Sequence, residues 1–265
     1  MSFTYLPKIS VLMSCFNSEG FLDDAIVSIL TQDYTNFEFI IIDDGSTDDT
    51  LKIITEYSKN DHRISVVTQG NMGLTKSLNK GIDLATGEFI ARMDADDISL
   101  PFRFSRFIKY INSFSDVQLY STPAILLNES DSSETLIPNI FRRKFFDNRM
   151  LNYYCSLVHG TLIVKTDIIK KLKYNESYVC AQDFELYHRA ISMGYKISYD
   201  SDNTSYKLRN HDSNITKTKS STQMDAFKSV LKFRNKKFYK PNFPNRILFL
   251  LNDAILFLKF KLKVN

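Results

Sequence analysis

The sequence contains no tryptophan, only three cysteines, and no run of apolar residues long enough to cross a bilayer. Cys15, Cys155 and Cys180 are odd in number, far apart and without metal-ligand spacing, so they indicate a reducing compartment. A membrane-spanning helix needs about 20 consecutive apolar residues, so we expect none here. Residues 1–7 lack a basic region followed by an apolar stretch, and we expect no signal peptide.

Two motifs are also absent. No Gly-x-Gly-x-x-Gly follows the first predicted strand, which argues against a nucleotide-dependent oxidoreductase. No nucleic-acid recognition motif accompanies the basic residues, so we expect no nucleic-acid partner. What the chain does contain is 265 residues, 43% of them hydrophobic, with 21 Phe and 14 Tyr. This is enough for one large, aromatic-rich domain, alone or with an appendage.

Charge is unevenly distributed along the chain. From residue 227 to the end there are ten Lys or Arg and one acidic residue, a local charge of +9. Because the whole chain carries 34 basic and 30 acidic residues, residues 1–226 carry 24 and 29, or −5. A mildly acidic body with a basic tail suggests that the tail meets an anionic surface.

Hydrophobic periodicity predicts alternating strands and helices over the first 125 residues. The predicted strands are Ile9–Met13, Phe37–Ile42, Ile64–Thr68, Glu88–Met93 and Val117–Thr122. The predicted helices are Gly20–Gln32, one that begins near Ser46, Leu74–Ala85, and one from Pro101 to about Phe114. This order is typical of parallel βαβ units, so we predict an α/β fold.

The second half is less regular. It predicts a loop or hairpin tip at Asn128–Thr135, a helix at Pro138–Tyr154 and a strand at His159–Lys165. An amphipathic helix at Ala181–Met193 and a short strand at Lys196–Tyr199 follow.

The sequence Asp94-Ala95-Asp96-Asp97 follows the predicted strand Glu88–Met93 directly. Carboxylates this close repel one another and raise each other's proton affinity, so water or a cation must screen them. Oxygen ligands at a strand end suit Mg²⁺ or Mn²⁺, which usually accompany a phosphorylated substrate. A solvated acidic turn is the alternative. Polar loops also follow two other strands, at Ser14–Glu19 and Asp43–Ser46, and ligands of open α/β sheets bind at such ends, which favours the metal site.

Five stretches, in their order and spacing, resemble the glycosyltransferase family 2 proteins. They are Val11–Asn17, Ile41–Asp48, Asn71–Leu74, Gly87–Asp97 and Ala181–Leu186. The resemblance covers about residues 8–215 and implies the GT-A fold, with a Rossmann-like, mostly parallel central sheet flanked by helices. It also implies an inverting transferase that uses a nucleotide-sugar donor.

The resemblance implies a divalent ion, Mn²⁺ or Mg²⁺, held by the acidic motif against the donor diphosphate. Asp96 would be the principal ligand, with Asp94 closer to the ribose and the ion's waters. Asp97 would either ligate the ion or support the motif. His211 resembles a histidine that some members use near the metal, and a surface loop histidine is the alternative.

The same resemblance implies the contacts of the nucleotide. Asp43 and Asp44 would bind the base, since a carboxylate can accept the N3–H of uracil, and this favours a UDP donor; a helix-capping turn is the alternative. The other implied donor contacts are Ser14, Phe16, Asn17, Glu19, Asn71, Gly73, Arg92, Asp94, Ala95 and Arg209. Phe16 stands where the family commonly has Tyr, which keeps base stacking and removes a hydroxyl contact. The chain lacks the Arg that the family often has near Leu78.

Asp183 resembles the catalytic base of the family, which withdraws the acceptor's proton as its hydroxyl attacks. One carboxylate opposite the diphosphate implies a single displacement with inversion. The alternative is a carboxylate that interacts with the dipole at a helix N-terminus. His159 either lines the sugar pocket or is a core histidine, and Arg92 either faces the donor or pairs with an acid.

The basic tail is the last sequence feature. Its apolar stretch from Ile247 to Phe260 would span only about 21 Å as a helix, shorter than a bilayer core, so an interfacial amphipathic helix fits better. A helix that packs on the domain or forms a homodimer contact is the alternative. We therefore divide the chain into a catalytic domain, 1–220, with a nucleotide-binding half (about 1–125) and an acceptor-binding half (about 126–220), and a basic helical region, 221–265.

Together these features predict an enzyme of bacterial surface-polysaccharide synthesis, such as O-antigen or capsule. It would transfer a hexose or N-acetylhexosamine from a UDP-sugar to a saccharide acceptor carried on a polyprenyl diphosphate. We expect it in the cytoplasm, peripheral to the inner face of the cytoplasmic membrane. A non-catalytic sugar-nucleotide-binding or scaffold protein is the alternative.

Overall fold

The structure is a computed structural model, and it describes residues 5–114, 116–137, 157–212, 222, 224–226 and 228–230. The predicted helix Pro138–Tyr154, Cys155 and the tail beyond residue 230 lie outside the described residues.

The first part of the chain alternates strands and helices as the periodicity predicts. Its elements are β1 (Ile9–Cys15), α1 (Leu22–Leu30), β2 (Phe37–Asp43), α2 (Thr50–Asn60), β3 (Ile64–Thr68), α3 (Leu74–Leu84), β4 (Phe89–Asp94), β5 (Ile98–Ser99), α4 (Arg103–Ser113) and β6 (Leu119–Ser121). The predicted bounds differ from these by one to three residues at most ends, because helix ends fray and strand ends follow pairing rather than hydrophobicity.

The second part adds shorter elements. They are β7 (Ala124–Asn128), β8 (Glu134–Ile137), a 3₁₀ turn (His159–Thr161), β9 (Ile163–Lys165), α5 (Thr166–Leu172), α6 (Gln182–Ser192), β10 (Ile197–Tyr199) and β11 (Tyr206–Asn210). The hairpin tip predicted at Asn128–Thr135 joins β7 and β8. The predicted strand His159–Lys165 is shorter than expected, because its first three residues form the 3₁₀ turn. Sequence periodicity missed β5, which has two residues, α5, which has seven, and β11, whose Lys207, Arg209 and Asn210 leave no apolar run.

The central sheet has seven strands in the order β10-β6-β9-β4-β1-β2-β3. All neighbours pair in parallel except β9, which runs antiparallel to both β4 and β6. Strand β1 lies in the middle, with β2 on one side and β4 on the other. Parallel strands put their carboxyl ends at one edge, so the loops after β1, β2 and β4 meet there.

Helices cover both faces of this sheet, and alternate strand residues supply the two cores. Val11 and Met13 of β1 pack on one face with side chains from α1, α2 and α4, and Leu12 packs on the other with α3, α5 and α6. Gly81 of α3 lies so close that an added Cβ would be 2.1 Å from Leu12 Cδ1. This two-layered burial explains why the strands read as continuous apolar runs.

A second, four-stranded sheet has the order β5-β11-β7-β8. Strand β11 pairs antiparallel with β5, which begins directly after the acidic motif, and parallel with β7. It thereby brings the segment around Arg209 and His211 back to the edge of the central sheet. Within the described residues, no helix is long and apolar enough to cross a membrane.

Candidate active site

Three polar loops converge at the carboxyl edge of the central sheet. In the strand register, Cys15 of β1 lies beside Asp43 of β2, and Ser14 lies beside Asp94 of β4. A cavity of about 480 Å³ opens at this point. It is lined by Ser14, Phe16, Asn17, Ser18, Phe21, Asp44, Asn71, Gly73, Leu74, Asp94, Ala95, Asp96 and His211.

Ten of these lining residues were predicted as donor or metal contacts, from Ser14 to His211. Sequence reasoning missed Ser18, Phe21 and Leu74. Ser18 lies within the loop predicted to sit beside the nucleotide, so its position gave a usable signal. Phe21, just before α1, and Leu74, the first residue of α3, are ordinary apolar residues in the sequence, and only the fold shows that they reach the cavity.

Asp44 ties the loop after β2 to the turn before α3. Its carboxylate accepts the backbone N–H of Met72 at 2.9 Å and of Gly73 at 2.8 Å, and the Gln69 side-chain amide at 2.8 Å. Asp44 is 3% exposed, yet it still reaches the cavity wall. Asp43 does not line the cavity; its carboxylate accepts the N–H of Ser46 at 3.3 Å, so it organises the turn.

The loop after β1 is fixed by the segment that leads into α2. Asn17 has a positive φ of 50°, and its side-chain oxygen accepts the Thr47 N–H at 2.8 Å. Glu19 accepts the Asp49 N–H at 2.8 Å, so its carboxylate faces the start of α2 and not the cavity. Phe16, at the loop's tip, is 45% exposed and lines the cavity.

The acidic motif contains three carboxylates in three different environments. Asp94 forms an ion pair with Arg92, which is 3% exposed and also contacts the carbonyl oxygen of Met93. Arg92 therefore pairs with an acid, one of the two arrangements the sequence left open. Asp96 faces the cavity, and its Oδ2 lies 2.9 Å from His211 Nε2. Asp97 is 1% exposed and accepts the Arg209 N–H at 2.8 Å.

Burial and mutual repulsion shift the titration of this motif. Burial raises the pKa of Asp96, and the neighbouring Asp94 charge raises it further, while the His211 hydrogen bond lowers it. Burial and the charges of Asp94 and Asp96 raise the pKa of Asp97 well above its ordinary value. A cation at Asp96 would relieve this repulsion, as expected for a metal-binding acidic cluster.

Arg209 lies behind the cavity wall. Its guanidinium pairs with Glu129 at 2.6 Å and with Asp24 at 2.9 Å, and its Nε donates to the Asp96 carbonyl oxygen at 2.9 Å. Since two carboxylates already neutralise it and it does not line the cavity, it holds the acidic loop. The phosphate contact predicted for it would require these pairs to break.

Asp183 occupies the first turn of α6, outside the cavity lining. Its charge and that of Asp94 both act on His159 and Tyr174, so these two buried side chains lie near both carboxylates. His159 Nε2 lies 2.7 Å from the Tyr174 hydroxyl. Burial, together with the Arg92 charge, lowers the pKa of His159 to about 4, so its imidazole is neutral at neutral pH.

The donor set at Asp96 and His211 fits a divalent ion. Within the described residues no three His, Cys, Asp or Glu side chains converge as a ready-made metal cage. However, Mg²⁺ characteristically uses one or two carboxylates plus waters and substrate phosphates rather than such a cage. Asp96 Oδ2 and His211 Nε2 form a hydrogen bond at 2.9 Å, so a divalent ion that replaced the shared proton would find both ligand atoms close together.

The two cysteines in the described part of the chain, Cys15 and Cys180, are buried free thiols. Burial, with the charge of Asp43 next in size, raises the pKa of Cys15 to about 12. Cys15 therefore stays protonated and is a packing residue.

Comparison with known proteins identifies the family of this chain. The sequence model described as "Glycosyl transferase family 2" matches residues 10–195. A glycosyltransferase of Methanocaldococcus jannaschii, MJ1057, is 30% identical over 89% of this chain and 83% of its own length. The O-antigen biosynthesis glycosyltransferase WbnJ of Escherichia coli is 31% identical over 76% of this chain and 78% of its own.

Two solved structures share the fold. The mannosyltransferase PcManGT of Pyrobaculum calidifontis, solved with GDP-Man and Mn²⁺, has a TM-score of 0.67 at 17% identity and covers 93% of this chain and 69% of its own. S. aureus TarS 1-349 with UDP-GlcNAc has a TM-score of 0.64 at 22% identity, over 78% of this chain and 60% of that structure. The chain thus spans about three fifths of the TarS structure. With the family model covering most of its length and its fold shared with GT-A enzymes, this chain is a glycosyltransferase that belongs to glycosyltransferase family 2.

Proposed function

We propose that this enzyme transfers a hexose or an N-acetylhexosamine from a UDP-sugar to a saccharide acceptor, with inversion, during surface-polysaccharide assembly. The observation that carries the proposal is the composition of the cavity. An exposed aromatic ring, Phe16, lies at one part of its wall, and the Asp96–His211 pair lies at another. The first suits a nucleobase and the second suits a metal-bound diphosphate.

The nucleoside would lie between Phe16 and the turn that Asp44 holds. A carboxylate oxygen can accept two hydrogen bonds, and among the described residues Asp44 Oδ2 accepts the Gly73 N–H. Its remaining capacity suits the N3–H of uracil. TarS, solved with UDP-GlcNAc, lends support to a UDP-sugar donor, while the GDP-Man of PcManGT makes the choice of base the first point to test.

Asp96 and His211 would hold the divalent ion, with Asp94 on the ribose side of the motif. The bound ion supplies Lewis-acid stabilisation of the charge that develops on the departing diphosphate. Arg92 orients the Asp94 carboxylate through their ion pair, and Arg209 fixes the backbone of Asp96, so these two arginines preorganise the motif.

Asp183 would act as the general base. Its place in the first turn of α6, outside the cavity lining but near the same two side chains, His159 and Tyr174, that the Asp94 charge affects, supports this role. The acceptor hydroxyl would lose its proton to Asp183 as the new glycosidic bond forms, which gives inversion in one displacement.

The acceptor would be a saccharide carried on polyprenyl diphosphate, reached from the cytoplasmic face of the membrane. The relative WbnJ, named for O-antigen biosynthesis, supports the polysaccharide assignment. The basic tail, with a local charge of +9 from residue 227 onward, would attract the enzyme to anionic lipid. The division between a catalytic domain and this tail near residue 220 is part of the same proposal.

Thermal shifts of the full chain with UDP-glucose, UDP-GlcNAc and GDP-mannose, each with and without Mn²⁺, test the donor. We expect stabilisation by a UDP-sugar that depends on Mn²⁺ and that Asp96→Asn abolishes. A shift with GDP-mannose alone would overturn the choice of UDP, and equal shifts without Mn²⁺ would overturn the role of the ion.

Variants of two aspartates, each in the first turn of a helix, distinguish a catalytic enzyme from a non-catalytic scaffold. We expect Asp183→Asn to keep donor binding but to lose roughly 10²- to 10⁴-fold in sugar transfer, the usual effect of removing a general base. Asp167→Asn, an exposed aspartate in the first turn of α5, is the matched control and should retain transfer. Normal transfer by Asp183→Asn would refute the base assignment, and donor binding without any turnover by the wild type would favour a scaffold.

A further inference from the structure

Tyr206, the first residue of β11, is fully buried directly beneath the acidic motif. Its hydroxyl oxygen accepts the backbone N–H of Asp94 at 3.0 Å. This hydrogen bond holds the backbone of the motif at its first acidic residue.

A buried arginine holds the Tyr206 ring from below. Arg103, at the start of α4, is 1% exposed, and its guanidinium carbon lies 5.2 Å from the centre of the Tyr206 ring. Its Nη2 donates to the carbonyl oxygens of Arg92 and Gly160, each at 2.9 Å. Removing a guanidinium from water costs free energy, and burial lowers the Arg103 pKa to about 10. The hydrogen bonds to the two carbonyl oxygens and the contact with the Tyr206 ring offset part of this cost, and they connect β4 and the 3₁₀ turn to the tyrosine.

Gly160 packs closely against the phenol end of the Tyr206 ring. A Cβ added there would lie 2.4 Å from ring atoms, so backbone packs directly against the phenol. Arg103 and Gly160 both lie against the ring, and Tyr206 is fully buried, so little room is left for the ring to change position. Its hydroxyl therefore presents a fixed acceptor to Asp94.

Strand β11 carries both this tyrosine and the approach to His211. Arg209, on the same strand, donates its N–H to the Asp97 carboxylate and its Nε–H to the Asp96 carbonyl oxygen. Tyr206 is also paired with Ser99 of β5, just past the motif. One strand thus sets the backbone of the acidic loop and delivers the imidazole that lies 2.9 Å from Asp96.

From this geometry we infer that Tyr206, supported by Arg103, is a positioning residue for divalent-metal binding by Asp96 and His211. The inference rests on the proposed function. Tyr206 touches neither donor nor ion; it fixes the backbone at Asp94 so that the Asp96 carboxylate stands opposite the imidazole. Without its hydroxyl the Asp94 N–H loses its acceptor and the loop can relax away from that geometry.

The test is Mn²⁺ affinity of the full chain in the presence of UDP, measured from the electron paramagnetic resonance signal of free Mn²⁺. We expect Tyr206→Phe, which keeps the ring, to raise the Mn²⁺ Kd by about 5-fold, the effect of one net hydrogen bond. In transfer assays the KM for Mn²⁺ should rise while kcat at saturating Mn²⁺ changes by less than about 2-fold, because the tyrosine does not touch the reacting atoms.

The matched control is Tyr120→Phe. Tyr120 is a second buried tyrosine, 2% exposed, whose hydroxyl faces the Asp200 carboxylate at 3.0 Å, away from the motif. It should lose comparable thermal stability and keep wild-type Mn²⁺ affinity. An unchanged Kd in Tyr206→Phe, or an equal rise in Tyr120→Phe, would overturn the inference.

A second variant covers the case in which Tyr206→Phe does not fold. Arg103→Lys keeps the charge but removes the planar guanidinium that lies against the Tyr206 ring, so it should raise the Mn²⁺ Kd in the same direction. An unchanged Kd there would again overturn the inference. A wild-type chain that binds UDP-sugar without any Mn²⁺ binding would overturn the metal role in the proposed function as well, which separates the two failures.

Discussion

Phe16 is a large apolar residue that is exposed to solvent rather than buried in the core. It is 45% exposed at the tip of the loop after β1, although it lines a cavity. Exposing an aromatic ring to water is unfavourable in the free enzyme. A flat ligand that stacks on the ring removes its apolar surface from water, which favours binding. At the scale of single residues, this exposed ring in the cavity wall is therefore what suggests that a flat ligand binds there.

Replacing Phe16 tests base stacking. Because stacking of a base on an aromatic ring contributes roughly 1–3 kcal/mol, we expect Phe16→Ala to raise the Kd for UDP by about 10-fold, with Phe16→Tyr near wild type. Isothermal titration with UDP and Mn²⁺ measures it. Phe114→Ala, a 56% exposed phenylalanine just past α4, is the control. An unchanged Kd in Phe16→Ala would place the base elsewhere.

At the scale of elements, the site is built where loops from different strands close on one another. The turn after β2 and the turn before α3 are clamped by Asp44, and Gly45 between them has a φ of +78°. A Cβ at Gly45 would lie 2.7 Å from the Asn71 backbone nitrogen. The turn can therefore approach Asn71 only with glycine at this position.

We expect Gly45→Ala to destabilise the enzyme by about 2 kcal/mol, from left-handed backbone strain plus displacement of the Asn71 segment, and to weaken UDP binding. Urea unfolding and UDP titration measure the two effects. Gly194→Ala is the matched control, since Gly194 also has a positive φ, +87°, but no atom within 4 Å of an added Cβ. It should lose stability by strain alone and bind UDP normally; equal UDP affinity in both variants would contradict the role of the clamp.

At the scale of the whole molecule, the two ends of the central sheet serve different tasks. The carboxyl edge carries the cavity, and the opposite edge is held by Glu38. Its carboxylate accepts Lys8 Nζ at 2.8 Å, Ser10 Oγ at 2.5 Å and the Thr86 N–H at 2.8 Å. Burial alone would raise the Glu38 pKa, but these hydrogen bonds outweigh it and lower the pKa to about 2.

This shift predicts how stability depends on pH. The folded-state pKa of Glu38 lies below its ordinary value of 4.5, so its stabilisation is present above about pH 4.5 and is lost as pH falls toward 2. We expect Glu38→Gln to cost about 2 kcal/mol at neutral pH and progressively less in acid. Urea unfolding between pH 2.5 and 7 measures it, with the exposed Glu56→Gln as control. A pH-independent difference would contradict the assignment.

The tail prediction also concerns the whole molecule. Val230 packs against Phe184 and Ala181, so truncation after residue 240 leaves this contact intact. We expect deletion of 241–265 to reduce co-sedimentation with phosphatidylglycerol vesicles, more strongly at low salt, because it removes basic and apolar residues together. Transfer to a soluble saccharide should be retained. Unchanged vesicle binding would assign the tail to the domain or to a dimer contact.

Much of this fold was predictable because strands and helices alternate regularly in the first half of the chain. Apolar runs between turn residues give the strands from β1 to β4, and helical periods give α1 and α3, within a few residues. The second half was predicted less well. Strands β5 and β11 are short and polar, and their pairing depends on contacts between residues about a hundred positions apart.

The sequence by itself determined the order of strands and helices, the family, and which loops carry the acids, since these follow from local hydrophobicity and motif spacing. Only the tertiary structure decided what each polar side chain contacts. It turned Glu19 and Asp43 toward turns, paired Arg209 with Asp24 and Glu129, and brought Tyr206 beneath Asp94. The physical reason is that a charged group takes its role from the partners that compensate its desolvation, and those partners are chosen by long-range strand pairing.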